Sequence, residues 1–233
     1  MRTITTEWVE VGDGTGMQAY LATPEGPGPF PGILIFQEAF GVNAHIRDVA
    51  ERFAREGYVA LAPEIFYRTA PHGFEGSYTD FSAVMPHYQA LTDDTLISDL
   101  KDSYAWLSGP GGTLEISAIG FCLGGRLSFL ANSVVKLKAA VSFYGGGIAP
   151  ALLDRAALQQ APLLLIWGGL DKHIPPEQTA SVARALRDAG KTYVQADFSA
   201  ADHGFFCDAR ASYHPASAAQ AWALALQFIK QPE

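Results

Sequence analysis

Apolar residues along this chain fall into short runs and alternating stretches, and the spacing changes character several times. Thr3–Val11 and Met17–Thr23 alternate with a period of two and are joined by Gly12-Asp-Gly-Thr-Gly16, which predicts an antiparallel hairpin. After the turn-rich Pro24–Pro31, Gly32-Ile-Leu-Ile-Phe36 is continuously apolar, as a strand buried on both faces must be. From 44 to 56 the apolar positions Ile46, Val49, Ala50 and Phe53 recur at helical spacing, and Gly57 closes the element. Tyr58–Pro63 reads as the next strand. Residues 93 to 108 read as a helix opened by Asp93-Asp94 and closed before Gly109-Pro-Gly-Gly112. Leu114–Ile119, Ala139–Tyr144, Pro162–Trp167 and Thr192–Phe198 read as further strands, with helices beginning at Arg126 and covering 176–189 and 216–230.

This rhythm of strand and helix predicts an α/β fold in one domain over residues 1–233. It implies an open, mostly parallel sheet with helices on both faces and an N-terminal hairpin. Residues 64–92 break the rhythm. They are rich in aromatics, histidine and glycine and show no firm periodicity. A stretch of that length predicts a lid or substrate segment over the strand ends, weighed against a surface excursion holding one short helix.

Composition narrows the function. With 48% of its 233 residues apolar and 17% charged, the chain is expected to form a compact globule. A net charge of −8 repels nucleic acid and anionic membrane alike. No apolar run approaches the roughly 18 residues needed to span a bilayer. Two cysteines, Cys122 and Cys207, are too few for a disulfide scaffold, and the N-terminus carries no signal-peptide pattern. The expected setting is the cytoplasm, and the expected partner a small neutral molecule, met as a monomer or homodimer without cofactor or metal.

The chemistry is concentrated in Gly120-Phe-Cys122-Leu-Gly124-Gly125, which lies between a strand and a helix. Glycines two before and two after a nucleophile are what a strained strand-turn-helix elbow requires, and here the nucleophile position holds a thiol. At a helix N-terminus the dipole favours a thiolate. The alternative is a buried cysteine in a glycine-rich turn. Downstream, Asp171 follows the apolar run Pro162–Trp167, and His203 follows Thr192–Phe198. Nucleophile, acid and histidine thus occur in α/β-hydrolase order, each just past a strand. His45, His72, His87, His173 and His214 have surface, loop or capping readings, although His173 is two residues from the acid.

Four separated motifs resemble the dienelactone hydrolase family of α/β-hydrolases. They are Gln37-Glu-Ala-Phe-Gly-Val-Asn43, Gly120–Gly125, Gly169-Leu-Asp171 and Asp202-His-Gly-Phe205, and the similarity runs from about residue 15 to the C-terminus. The resemblance implies a Cys122, His203, Asp171 triad, contact of Glu38 with the thiol, and an oxyanion hole made by the backbone N–H groups of Ala39 and Leu123. Glu38 salt-bridged to Arg47 or Arg126 is the competing reading. Family members acting on anionic dienelactones resemble one another in an arginine four residues past the histidine, where this chain has Cys207. They place another before the long central helix, whereas residues 69–100 here hold no Arg or Lys. Without those cations a carboxylate substrate loses its charge-assisted partner.

The expected reaction is therefore hydrolysis of a small neutral ester or lactone through an acyl-thioester, with aryl esters and phosphotriesters suited to the same oxyanion hole. Phe40, Phe74, Phe81, Tyr88, Tyr144, Phe205 and Phe206 are candidate pocket walls, and each is equally a candidate core residue. A different class of function is thiol redox chemistry using Cys122 with Cys207 as the resolving thiol. A binding protein that merely retains the fold is a third reading, opposed by the intact triad. Asp202-His203 and Asp171-Lys-His173 lack the ligand number and spacing of a metal site.

Overall fold

A computed structural model describes residues 2–232, which divide into two compact units, the first running through Ser117 and the second beginning at Ala118. In the first unit β1 (Ile4–Val11) and β2 (Met17–Pro24) form the hairpin, in register from Ile4 opposite Pro24 to Val11 opposite Met17. Strands β3 (Gly32–Phe36) and β4 (Val59–Pro63) are wholly buried and parallel, with β2 antiparallel to β4. The order in this unit is β1-β2-β4-β3. The crossover between β3 and β4 is α1 (Ala44–Arg55), capped by Asn43, whose side-chain oxygen accepts from the Ile46 N–H at 3.2 Å. Ile46, Val49, Ala50, Phe53 and Ala54 make its buried face, and Gly57, at φ 97°, ends it in a conformation that other residues rarely adopt. His45 is also buried on α1, because the core-facing stripe is wider than the spacing alone suggested.

The aperiodic segment holds one short helix, α2 (Met85–Gln89), before α3 (Asp93–Ser108). Thr92 and Thr95 form a reciprocal capping box at the start of α3, and Asp93 and Asp94 complement its positive end. The start of the segment is pinned to α3. Asp99, fully buried, accepts two bonds from the Arg68 guanidinium at 2.6 and 2.7 Å and a third from the Tyr67 hydroxyl at 3.1 Å. Burial and the adjoining carboxylate push the Tyr67 pKa up to about 12.

In the second unit β5 (Ile116–Phe121, its last four residues), β6 (Ala140–Phe143), β7 (Leu163–Gly168) and β8 (Tyr193–Phe198) lie parallel in the order β5-β6-β7-β8. The strand around Cys122 starts and ends two residues later than the apolar run indicated. Leu114 is 84% exposed, while Gly120 and Phe121 continue the strand to the thiol. The following helix, α4 (Leu123–Val134), accordingly starts three residues before the expected Arg126. α5 (Pro176–Asp188) and α6 (Pro215–Lys230) complete the unit, with a 3₁₀ turn at Leu153–Leu158 that periodicity did not reveal. Asn132 fastens α4 to the entry of β7. Its amide donates to the Ala161 carbonyl at 2.8 Å and to Gln159 Oε1 at 2.9 Å, and its oxygen accepts from the Ala161 N–H at 3.0 Å.

Asp99→Ala should leave Arg68 and Tyr67 without their buried acceptor. The expected loss is about 3 kcal/mol, the lower end for a broken buried ion pair because Arg68 keeps a 38% exposed side chain. Urea unfolding measures it, and an unchanged midpoint would mean that Asp99 does not anchor the segment.

Candidate active site

Cys122 closes β5 with its N–H donating to the Phe143 carbonyl at 3.0 Å, then turns into α4 at φ 55° and ψ −112°. A non-glycine residue with positive φ is strained and persists only where its surroundings hold it there. The surroundings here are contacts that no side chain could enter. A Cβ on Gly120 would overlap the Gly124 carbonyl, and one on Gly125 would stand 2.5 Å from the Phe143 oxygen and 2.8 Å from Gly145 Cα. The glycines of the motif thus let the first turn of α4 fold back against its own strand and against the end of β6. Cys122 is left half-buried at the N-terminus of α4, where Leu123 N–H is one of the donors without an intrahelical acceptor.

Two further loops converge by the same device. Gly168 and Gly169, at the end of β7, lie so close to the chain beyond β8 that a Cβ on either would come within 2.7 Å of the Ala201 carbonyl or 2.6 Å of Ser199 Cα. Gly169 N–H donates to Phe198 at 2.8 Å and Leu170 N–H to Ala201 at 2.9 Å, fastening the loops together. Asp171 extends from the first loop and is locked at both oxygens. Oδ1 accepts from the His173 and Ile174 N–H groups at 2.8 and 3.2 Å, and Oδ2 accepts from His203 Nδ1 at 2.7 Å. His203 in turn is hydrogen-bonded to the Cys122 side chain. The structure therefore brings together the three residues expected from chain order.

The electrostatics follow from that geometry. Burial by itself would push the His203 pKa down. The hydrogen bonds to Asp171 and Cys122 and the negative charge of both outweigh it, and push it up to about 10. For Asp171, burial opposes ionisation, but the bond and charge of His203 and the two backbone donors hold its carboxyl below the usual carboxylate range. The imidazole is flanked by the Tyr144 ring, 5.1 Å away, and the edge of the His173 ring, 5.4 Å away. Tyr144, at φ 37°, is the second strained non-glycine residue, a feature that no sequence pattern disclosed.

The remaining candidates fall into separate places. Tyr144, Phe205 and Phe206 are buried in an aromatic core with Phe121 and Phe143, the core alternative weighed for them from sequence. In the first unit Phe40 is buried and meets Tyr78 and Phe81 edge-on at 4.7 and 5.0 Å, with Phe74 and Val84 in the same cluster. Phe81 and Tyr88 are 45% and 37% exposed. Glu38 and Ala39 are buried in the turn after β3. Gln37 is fully buried, and the family resemblance implies no role for it. Its Oε1 accepts from the Ile65 N–H at 3.1 Å and its Nε2 donates to the Glu38 carbonyl at 3.2 Å. A lone amide at the end of an all-apolar strand was the available signal. Arg47 pairs with Glu75 at 2.7 Å, and also donates to the Val42 carbonyl at 2.7 Å. His72 sits on Glu64, His87 on Thr69, and His214 caps α6.

Residues 17–232 match the family described as the dienelactone hydrolase family. A Synechocystis protein provisionally named carboxymethylenebutenolidase is 40% identical over 225 residues, which are 91% of this chain and 89% of that protein. An Escherichia coli K12 protein of the same provisional name is 37% identical over 232 residues, or 94% and 83% of the two chains. Among solved structures, a provisionally named dienelactone hydrolase of Klebsiella pneumoniae superposes with a TM-score of 0.89 at 33% identity, covering 98% of this chain and 99% of the other. A dienelactone hydrolase-like promiscuous phosphotriesterase from metagenomic libraries gives 0.84 at 22% identity with 98% of each chain covered, a likeness of fold. The strands of the described residues, mostly parallel and led by an antiparallel pair, are those expected of the α/β-hydrolase class. No helix among the described residues is long and apolar enough to cross a membrane.

Removing the sulfur should be visible at His203. Cys122→Ala deletes a hydrogen bond and a negative charge that raise the imidazole pKa, so the pKa should fall, as followed by NMR of the ring. Because folding raises this pKa, the imidazolium stabilises the fold fully below about pH 6.5 and progressively less as pH rises toward about 10. Wild type should therefore lose more thermal stability across that window than His203→Gln; parallel losses would contradict the assignment.

Proposed function

The chain belongs to the dienelactone hydrolase family, and from that membership we propose that it hydrolyses small neutral esters and lactones with Cys122 as covalent nucleophile. The observation that carries the reading is the unbroken series of bonds from Cys122 to His203 to Asp171, with the thiol on a strained elbow at a helix N-terminus. An imidazole held basic by the bond and charge of Asp171 on one side and by the sulfur on the other is suited to take the thiol's proton.

The thiolate attacks the substrate carbonyl, forming the S–C bond and moving the π electrons to oxygen. Leu123 N–H and, by the family pattern, Ala39 N–H stabilise that oxyanion. Collapse expels the alkoxide, which takes the proton from His203, and leaves a thioester. Water then gives a proton to His203 as it attacks, and a second oxyanion collapses to release the acid and the thiolate. Asp171 keeps the imidazole in the tautomer that faces the sulfur and stabilises the cation. The same pattern gives Glu38 contact with the thiol, where its carboxylate competes with His203 for the thiol proton. Two cysteines outside any disulfide suit a cytoplasmic setting.

A preference for neutral acyl groups is supported by the absence of cations at the two places where the family's anion-binding members carry them. Residues 69–100 contain none, position 207 is a buried cysteine, and Arg68, the nearest basic residue before that segment, is engaged by Asp99. The aromatic cluster of Phe40, Phe74, Tyr78 and Phe81 provides apolar contact instead. Phosphotriesters generate a comparable oxyanion and belong in the same substrate panel.

Brief exposure to an activated aryl ester should leave an acyl adduct on Cys122 by intact mass and peptide mapping, absent in Cys122→Ala. An adduct confined to a serine would sink the reading. Matched neutral and anionic esters should differ by about tenfold or more in kcat/KM in favour of the neutral one, a gap of about 1.4 kcal/mol. Equal turnover would place a cation at the acyl group.

A further inference from the structure

The turn that follows β3 carries Ala39 N–H, and the aim of that N–H is set by a side chain with no assigned part in the reaction. Ala39 N–H and the Glu38 carbonyl belong to one planar peptide unit and point in opposite directions. Whatever holds the carbonyl therefore aims the N–H. The Glu38 carbonyl is held by Gln37 Nε2 at 3.2 Å. The orientation of the Gln37 amide is not free either. Its Oε1 accepts from the Ile65 backbone N–H at 3.1 Å, and since that N–H can only donate, the oxygen must face it and the NH₂ must face Glu38. Gln37 is fully buried, so no water competes for either bond.

The rest of the turn is held from the other side. Phe40 carbonyl accepts from Gly76 N–H at 3.0 Å, Val42 carbonyl accepts from Arg47 at 2.7 Å, and Asn43 both caps α1 and donates to the Tyr78 hydroxyl at 2.8 Å. Gly41, at φ 79°, lies so close to the Phe74 carbonyl that a Cβ would overlap it. Of the peptide units between Gln37 and Phe40, the Glu38–Ala39 unit has Gln37 as the side chain gripping its carbonyl.

We infer that Gln37 is a positioning residue for the oxyanion hole: its amide bridges Ile65 N–H and Glu38 C=O and so fixes the Glu38–Ala39 peptide, whose N–H the family pattern gives to the oxyanion. This rests on the reading of Ala39 as an oxyanion donor and of Cys122 as nucleophile. Without the bridge the peptide can rotate, and a donor aimed elsewhere stabilises no negative charge.

The test compares two reactions of the same sulfur. Acylation by a p-nitrophenyl ester passes through an oxyanion, whereas alkylation by iodoacetamide is a displacement at carbon that does not. Gln37→Met keeps the side chain's length and removes both bonds. Acylation should fall about 100-fold, the loss typical of one oxyanion donor, while alkylation stays within about twofold and KM changes little. Gln37→Glu keeps an oxygen toward Ile65 but lacks the amide donor, and in alkaline buffer it must show the same selective loss. Equal falls in acylation and alkylation, or retention of wild-type acylation by either variant that folds, would overturn the inference. Cys122→Ala in parallel separates the two claims: if it still turns over the ester, the nucleophile assignment fails and this inference falls with it.

Discussion

Everything chemical in the second unit depends on main chains coming closer than any side chain would permit. The bond between His203 and Asp171 requires the chain beyond β7 to lie against the chain beyond β8, and Gly168 and Gly169 allow it. The angle at Cys122 requires α4 to fold back onto β5 and β6, and Gly120 and Gly125 allow that. Backbone-to-backbone contact also transmits position better than contact between side chains, which can change rotamer. Cys122, Asp171 and His203, far apart in sequence, are thus held by the least adjustable parts of the chain.

That rigidity is matched by electrostatic coupling among Cys122, His203 and Asp171. Asp171 spends one oxygen on two backbone donors and the other on His203, so its carboxylate is anchored to the loop that also bears it. The imidazole is consequently basic for a reason that burial opposes: two acceptors stand on either side of it. Tyr144 and His173 wall its faces, and the strain at Tyr144 is a local expense tolerated where the ring must stay put.

Much of this was legible in the sequence because the relevant signals are local. Gly120-x-Cys-x-Gly124 between an apolar run and a helix encodes the strained turn at Cys122, and the positions of Asp171 and His203 just past strand ends agree with the hydrogen bond they share. Boundaries were less legible. Leu114 is apolar yet 84% exposed, so hydrophobicity placed β5 two residues early, and Gly120 and Phe121 extended it to the thiol. Long-range polar bonds were invisible: nothing adjacent to Asp99 in sequence announces Arg68, and nothing near Gln37 announces Ile65. The fate of Tyr144, Phe205 and Phe206 was equally hidden, since an aromatic ring has the same pattern whether it lines a pocket or fills a core.

The exposure of Phe81, Met85 and Tyr88 has a consequence for how such a protein changes over generations. These side chains stand 37–45% exposed on a segment whose beginning, not its middle, is fixed by Asp99. Substitutions at exposed positions usually alter stability by only about 0.5 kcal/mol, whereas the glycines of the elbow admit almost none. Drift is therefore cheap on the aromatic segment and nearly forbidden at the glycines around Cys122, so successive generations can vary the one while inheriting the other unchanged.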